Sequence, residues 1–93
     1  MAKTTVVNLH KESYDVYIGR SSIFGNPFVI GKNGNREEVI EKYKHHFIKE
    51  ILTNPYFVSE LEKLRGKKLG CYCSPQKCHG DVIANFLNLE KKL

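Results

Sequence analysis

Between the β-like runs at residues 15–19 and 68–73 the chain carries two consecutive stretches of helical period. That order constrains the fold more than any other feature. Strands joined through helices, rather than through a tight turn, pair in parallel by a right-handed crossover. The sequence therefore predicts a small sheet, mixed or parallel, with at least one parallel pair and helices packed on it. The start signals of both helices are clear. Asn35 is an N-cap with Glu38 three residues on, the spacing of a capping box. Val39, Ile40, Tyr43, Phe47 and Ile51 then form one apolar stripe, with Glu38 and Lys42 as an i,i+4 pair on the wet side. Asn54-Pro55 repeats the logic as cap plus proline at the first helical position. Phe57, Leu61 and Leu64 line this shorter helix, and Gly66 ends it.

The remaining segments fill out the same architecture. Residues 4–9 are β-branched and apolar, hence a first strand. Gly25-Asn26-Pro27 is a turn, followed by a short strand at 28–30 and a loop at 31–35. Ser74-Pro75 offers a further cap-plus-proline start for a last helix, which could also begin only near Asp81 and whose apolar face holds Ile83, Phe86 and Leu87. A chain of 93 residues has no room for a second core, so residues 1–93 are read as a single α/β domain. No apolar run approaches the ~20 residues that a membrane span needs, and no secretory leader opens the chain. With three cysteines, an odd number, a disulfide framework is not expected and a reducing cytoplasm is. Fifteen Lys and Arg against ten Asp and Glu favour an anionic partner, although solubility alone would account for several dispersed lysines. A homo-oligomer would help so small a core.

Two dense segments carry the chemistry. In Gly70-Cys71-Tyr72-Cys73-Ser74-Pro75-Gln76-Lys77-Cys78-His79-Gly80-Asp81 all three cysteines and a histidine fall on one strand-to-helix turn. Alternation puts Cys71 and Cys73 on one face of the strand and Tyr72 on the other. A helix starting in this turn would favour an anion or a thiolate, at the strand end where α/β sheets bind ligands. Three readings stay open. One is an active or ligand-binding turn using Cys78, His79 and Asp81. Another is a purely structural corner. The third is a Cys3His zinc site of Cys71, Cys73, Cys78 and His79, whose spacing fits the usual knuckle poorly.

The second segment is Ile18-Gly19-Arg20-Ser21-Ser22-Ile23-Phe24-Gly25-Asn26-Pro27-Phe28. Gly19 permits close approach, Arg20 offers a bidentate fork for phosphate, and Ser21 adds a hydroxyl. Gly25 and Asn26 complete a candidate ligand site, with Cys73 and Pro75 contributed by the cysteine turn. Tandem His45-His46 reads as one ring at the core edge and one in solvent, because adjacent helical residues point apart. Arg65-Gly66-Lys67-Lys68 reads as a helix end and turn rather than a nucleic-acid patch.

Taken together, Tyr17-Ile18-Gly19-Arg20-Ser21, Phe24-Gly25-Asn26-Pro27-Phe28, Leu64-Arg65-Gly66-Lys67-Lys68-Leu69-Gly70-Cys71-Tyr72-Cys73, Pro75 and Cys78-His79-Gly80-Asp81 resemble the DUF4326 family, small uncharacterised proteins of bacteria and their phages. The strand–Cys–loop–Cys-His–helix corner is more distantly similar to the DUF488 family, in which arginine follows where this chain has Gly80 and Asp81. Both resemblances imply a compact Rossmann-like α/β domain, and neither supplies an activity or a cofactor. The expected function is binding of a nucleotide or nucleoside, or of another phosphorylated small molecule. Turnover would use Cys78, His79 and Asp81, with Arg20 and Ser21 on phosphate and Asn26 on base or sugar. The alternatives are a phage-type protein that sequesters such a ligand without turnover, and a basic nucleic-acid-binding protein with the Cys3His zinc site. In the last, Tyr14, Tyr17 and Phe24 would stack bases beside Arg20 and Lys67.

Overall fold

In a computed structural model, which describes residues 3–19, 21–72 and 76–89, three strands and three helices follow in the order β1 (Thr5–Asn8), β2 (Val16–Tyr17), α1 (Arg36–Thr53), α2 (Pro55–Glu62), β3 (Lys68–Cys71) and α3 (His79–Leu89). The last strand in sequence is the middle one in space. The sheet order is β1-β3-β2, and both ladders are parallel, with Val6 and Val16 each opposite Leu69. The α/β class and the parallel pairing read from the sequence are those of the structure. No helix among the described residues is long and apolar enough to cross a membrane.

The two faces of the sheet are closed differently. Leu69 and Cys71 point to the side where Ile18, Tyr43, Phe47, Phe57, Leu61, Ile83 and Leu87 form the core. Gly70 points to the other side, where the ring of Tyr14 rests against it; a Cβ there would stand 2.7 Å from Tyr14 Cγ. The link from β1 to β2 thus passes over the central strand at its one residue without a side chain. Asp15 anchors this link, its amide donating to the Lys68 carbonyl and its carboxylate accepting from the Lys68 amide, both at 2.8 Å.

The helix starts follow the chemistry of their caps. Asn35 Oδ1 accepts from the Glu38 amide at 2.9 Å, and Glu38 Oε1 accepts from the Asn35 amide at 2.8 Å, a complete capping box. Asn54 Oδ1 caps α2 through the Phe57 amide at 3.2 Å. Val39, Tyr43 and Phe47 are the buried stripe of α1. Lys42 does not reach for Glu38, whose carboxylate is held by the cap; its ammonium stands 5.9 Å from the centre of the Phe28 ring. His46 packs against Phe28 and Tyr43, while His45 is exposed beside Glu41.

Residues 28–30 are not the expected strand. Asparagine side chains take the backbone donors a strand would offer to a neighbour: Phe28 N donates to Asn26 Oδ1 at 2.9 Å and Val29 N to Asn33 Oδ1 at 2.8 Å. The β2 ladder is also shorter than the run 15–19. Beyond Tyr17, the Ile18 amide still bonds to β3, at the Gly70 carbonyl. The other termini converge where Thr4 and Asn88 exchange bonds of 2.9 and 2.8 Å, fastening β1 to α3.

Candidate functional site

A cleft of about 470 Å³ opens where β2 and β3 end and α1 and α3 begin. Gly19 and Tyr17 come from the end of β2, Cys71 and Tyr72 from the end of β3, Arg36 from the first turn of α1, and Lys77, Cys78 and His79 from the approach to α3. Asn26 and the apolar Phe28, Val29 and Ile30 close the remaining wall. Each position has a local cause. Ser22 folds the chain after β2 by donating its hydroxyl to the Gly19 carbonyl at 2.7 Å. Asn26 accepts from the Phe28 amide and donates to the Val39 carbonyl at 3.2 Å, so its amide ties the 26–30 loop to α1. Each end keeps a further hydrogen-bonding position, and the residue lines the cleft.

The start of α3 is held by two side chains. Asp81 Oδ2 accepts from the Cys78 amide at 3.1 Å, and the Asp81 amide donates to the Cys78 carbonyl at 3.0 Å. The carboxylate therefore satisfies a helix-start donor and faces a second, shallower groove between α1 and α3. His79 Nε2 lies 2.6 Å from the Ile18 carbonyl oxygen, and since a carbonyl only accepts, Nε2 carries the proton and donates. Burial holds this imidazole below its ordinary pKa, against the weaker opposing pull of the Ile18 carbonyl and Asp81. No direct bond joins His79 to Asp81; each is committed to backbone.

Cys78 and Cys71 are both buried, and their sulfurs are 3.1 Å apart. The contact with Cys71, with burial, pushes the Cys78 thiol far above its ordinary pKa. A neutral thiol is a weak nucleophile. Behind it, Tyr43 is likewise held protonated by burial and donates to the Phe24 carbonyl at 2.8 Å.

Of the residues expected from sequence, Gly19, Asn26, Cys71, Cys78 and His79 meet at this cleft. Ser21 and Gly25 do not line it, and Asp81 lines the other groove. Arg20, Cys73 and Pro75 lie outside the described residues. Among the described residues no three His, Cys, Asp or Glu side chains gather as a metal site, and the zinc expectation also depended on Cys73. Phe24 is 5% exposed and packs on Phe57, so its ring is not offered to a base.

Sequence reasoning missed Arg36, Phe28 and Lys77, and used Tyr72 only as a face marker. Arg36 carried a signal. A cation at the first position of a helix opposes the macrodipole, in a turn whose other charges are Glu37 and Glu38. The guanidinium makes no ion pair among the described residues; Nη1 donates to the Lys77 carbonyl at 2.9 Å. Arg65, by contrast, is held by Glu62 at 2.7 Å. Together with Lys77, Arg36 gives the cleft two cations, and no carboxylate belongs to its described lining. Tyr17 and Tyr72 stand edge to face, 6.3 Å between centres, at the same opening.

Fold and cleft together define a small parallel α/β domain with a cationic, aromatic-rimmed cavity at the carboxyl ends of its strands. The DUF4326 model, a domain of unknown function, matches residues 3–89. The chain is 45% identical over 84 residues to an uncharacterized 12.4 kDa protein in the nrdA-td intergenic region of Enterobacteria phage T4, an alignment covering 89% of this chain and 76% of that one. It is 32% identical over 99 residues to an uncharacterized protein of Acanthamoeba polyphaga mimivirus, covering 87% and 72% respectively. No solved structure matches. The chain belongs to the DUF4326 family.

Proposed function

We propose that this chain is a Rossmann-like nucleotide- or nucleoside-binding domain whose ligand occupies the cleft between Tyr17, Arg36, Tyr72 and Lys77. The lining carries the reading: two cations, no carboxylate among the described residues, and three aromatic rings, Tyr17, Phe28 and Tyr72, within one cavity. Arg36 supplies a planar fork for phosphate oxygens and Lys77 a second charge. The rings offer faces to a base. The position at the carboxyl ends of parallel strands is where open α/β sheets hold ligands.

Binding without turnover is the form this site supports best. Cys78 is kept protonated, and the Asp81 carboxylate is spent on the start of α3. An acid–base reaction needs a titratable pair in reach of the ligand. The nucleic-acid alternative loses one of its three stacking rings, Phe24, to the core, and a second, the exposed Tyr14, rests on Gly70 and is not part of the cleft lining.

Calorimetric titration with a panel of nucleosides, nucleoside mono-, di- and triphosphates and inorganic phosphate tests the proposal. Saturable binding of a phosphorylated nucleoside, recovered unchanged and weakened by Arg36→Ala, is the expected result. Recovery of a chemically altered ligand would turn the binding protein into an enzyme. Failure of every member of the panel, with steeply salt-dependent binding of single-stranded DNA or RNA instead, would replace the reading.

A further inference from the structure

Cys71 ends β3 and Cys78 stands just before α3, seven positions along the chain. Their sulfurs meet at 3.1 Å, on the inner wall of the cleft, and both residues line that cleft. Buried cysteines that serve only as small hydrophobes need no such contact. A disulfide bond measures about 2.05 Å, so closure asks each sulfur to move by only about half an ångström. The two residues belong to different elements, and a bond between them would fasten the end of the central strand to the start of the last helix.

We propose that Cys71 and Cys78 form a reversible oxidation site: a dithiol that a hydroperoxide converts to an intramolecular disulfide and that a thiol reductant restores. This goes beyond ligand binding and does not depend on it. The chemistry balances in two steps. The Cys71 sulfur, as thiolate beside the protonated Cys78, attacks the distal oxygen of the hydroperoxide, breaking the O–O bond; the thiolate becomes a sulfenic acid and the other oxygen leaves as an alcohol or water. Cys78 then attacks the sulfenic sulfur, its proton passing to the hydroxide that leaves as the S–O bond breaks, so that water is released. Two thiols lose two electrons and two protons, the peroxide gains both, and one S–S bond is formed. The cleft gives a molecule the size of hydrogen peroxide a route to sulfurs that a large oxidant does not reach. The second thiol, already in contact, resolves the sulfenic acid before further oxidation.

The sequence makes the bond readable. Lys77 lies between the two cysteines, and Lys68 precedes the first. Trypsin thus separates Cys78 from a peptide holding Cys71 and Cys73, unless a disulfide joins them. The full-length chain, treated with hydrogen peroxide and alkylated, is weighed intact and mapped without reduction. The expected result is one alkyl group per chain where the untreated chain takes three, and a cross-linked peptide pair. Fragmentation between Tyr72 and Cys73 then assigns the bridge to Cys71, and dithiothreitol removes it. Cys73→Ala is expected to leave the bridge in place, and Cys78→Ala to abolish it. A bridge at Cys73, a bridge between chains, stable sulfinic acid at either cysteine, or thiols that stay reduced under peroxide would each overturn the proposal. The wild-type map decides even where a cysteine variant fails to fold.

Discussion

The ring of Tyr17 lies over the backbone of Gly19, in the space that a Cβ on Gly19 would take. One wall of the cleft is thus a tyrosine laid on a residue with no side chain. The atoms that a Cβ would strike are the far end of a flexible side chain, so the ring can turn aside at little cost to the fold. Gly19→Ala is expected to shift stability by no more than about 0.5 kcal/mol and to weaken a stacked nucleotide by ~1–3 kcal/mol. A thermal melt beside a nucleotide titration separates the two. A large drop in Tm with unchanged affinity would show that the glycine serves packing instead.

Gly80 presents the opposite case. A Cβ there would stand 2.7 Å from Ile18 Cδ1, 3.2 Å from Val6 Cγ1 and 3.3 Å from Cys78 Sγ, where the first turn of α3 sits on the sheet. These neighbours are packed in or against the core, so relief requires the helix to lift. Gly80→Ala should cost ~1–3 kcal/mol as overpacking, seen as a lower urea midpoint at unchanged m-value.

Arg36→Ala should weaken an anionic ligand by ~1.5–3 kcal/mol, the range for a hydrogen bond to a charged group. Among the described residues its side-chain bond is to the Lys77 carbonyl, so the stability change should stay within about 1.5 kcal/mol. Arg36→Lys should recover only part of the affinity, because an ammonium lacks the planar fork. Equal affinities for wild type and Arg36→Ala would remove this residue from the site.

The buried His79 sets a pH dependence of stability. Its pKa in the folded state is below the ordinary imidazole value of 6.5, chiefly by desolvation. In the window between the two values the unfolded chain binds a proton that the folded chain refuses. Stability is then full above about pH 6.5 and falls as the pH drops from there toward the folded value. His79→Gln can still donate to the Ile18 carbonyl but does not titrate. Denaturant unfolding from pH 7.5 to 5.5 should show a decline in the wild type that the variant lacks; parallel curves would refute the assignment.

Local chemistry made the helices legible. Asn35 with Glu38, and Asn54 with Pro55, announce α1 and α2 because caps act within one turn and leave their residues in the sequence. The stripe of Val39, Tyr43 and Phe47 is equally local. Residues 28–30 misled because their apolar side chains do resemble a strand. The deciding groups, the amides of Asn26 and Asn33, lie outside the run. The cleft was half legible. Gly19 and the Cys78-His79 corner stand out by composition, whereas Arg36 reaches the site only through folding, from a helix start far along the chain. Asn26 is also a brace of the cleft wall, a role that depends on the Val39 carbonyl arriving beside it.

The position of β3 governs when the sheet can exist at all. Both ladders run through it, so β1 and β2 share no bond of their own. A chain emerging from the ribosome carries two strands with nothing to pair with until residue 68 and its neighbours have appeared. Through most of synthesis it can hold only α1 and α2. Assembly therefore waits for distant contacts, the arrangement associated with slow folding and with exposed strand edges on the way. Shortening the chain before β3 would remove the whole sheet in one step, not one third of it.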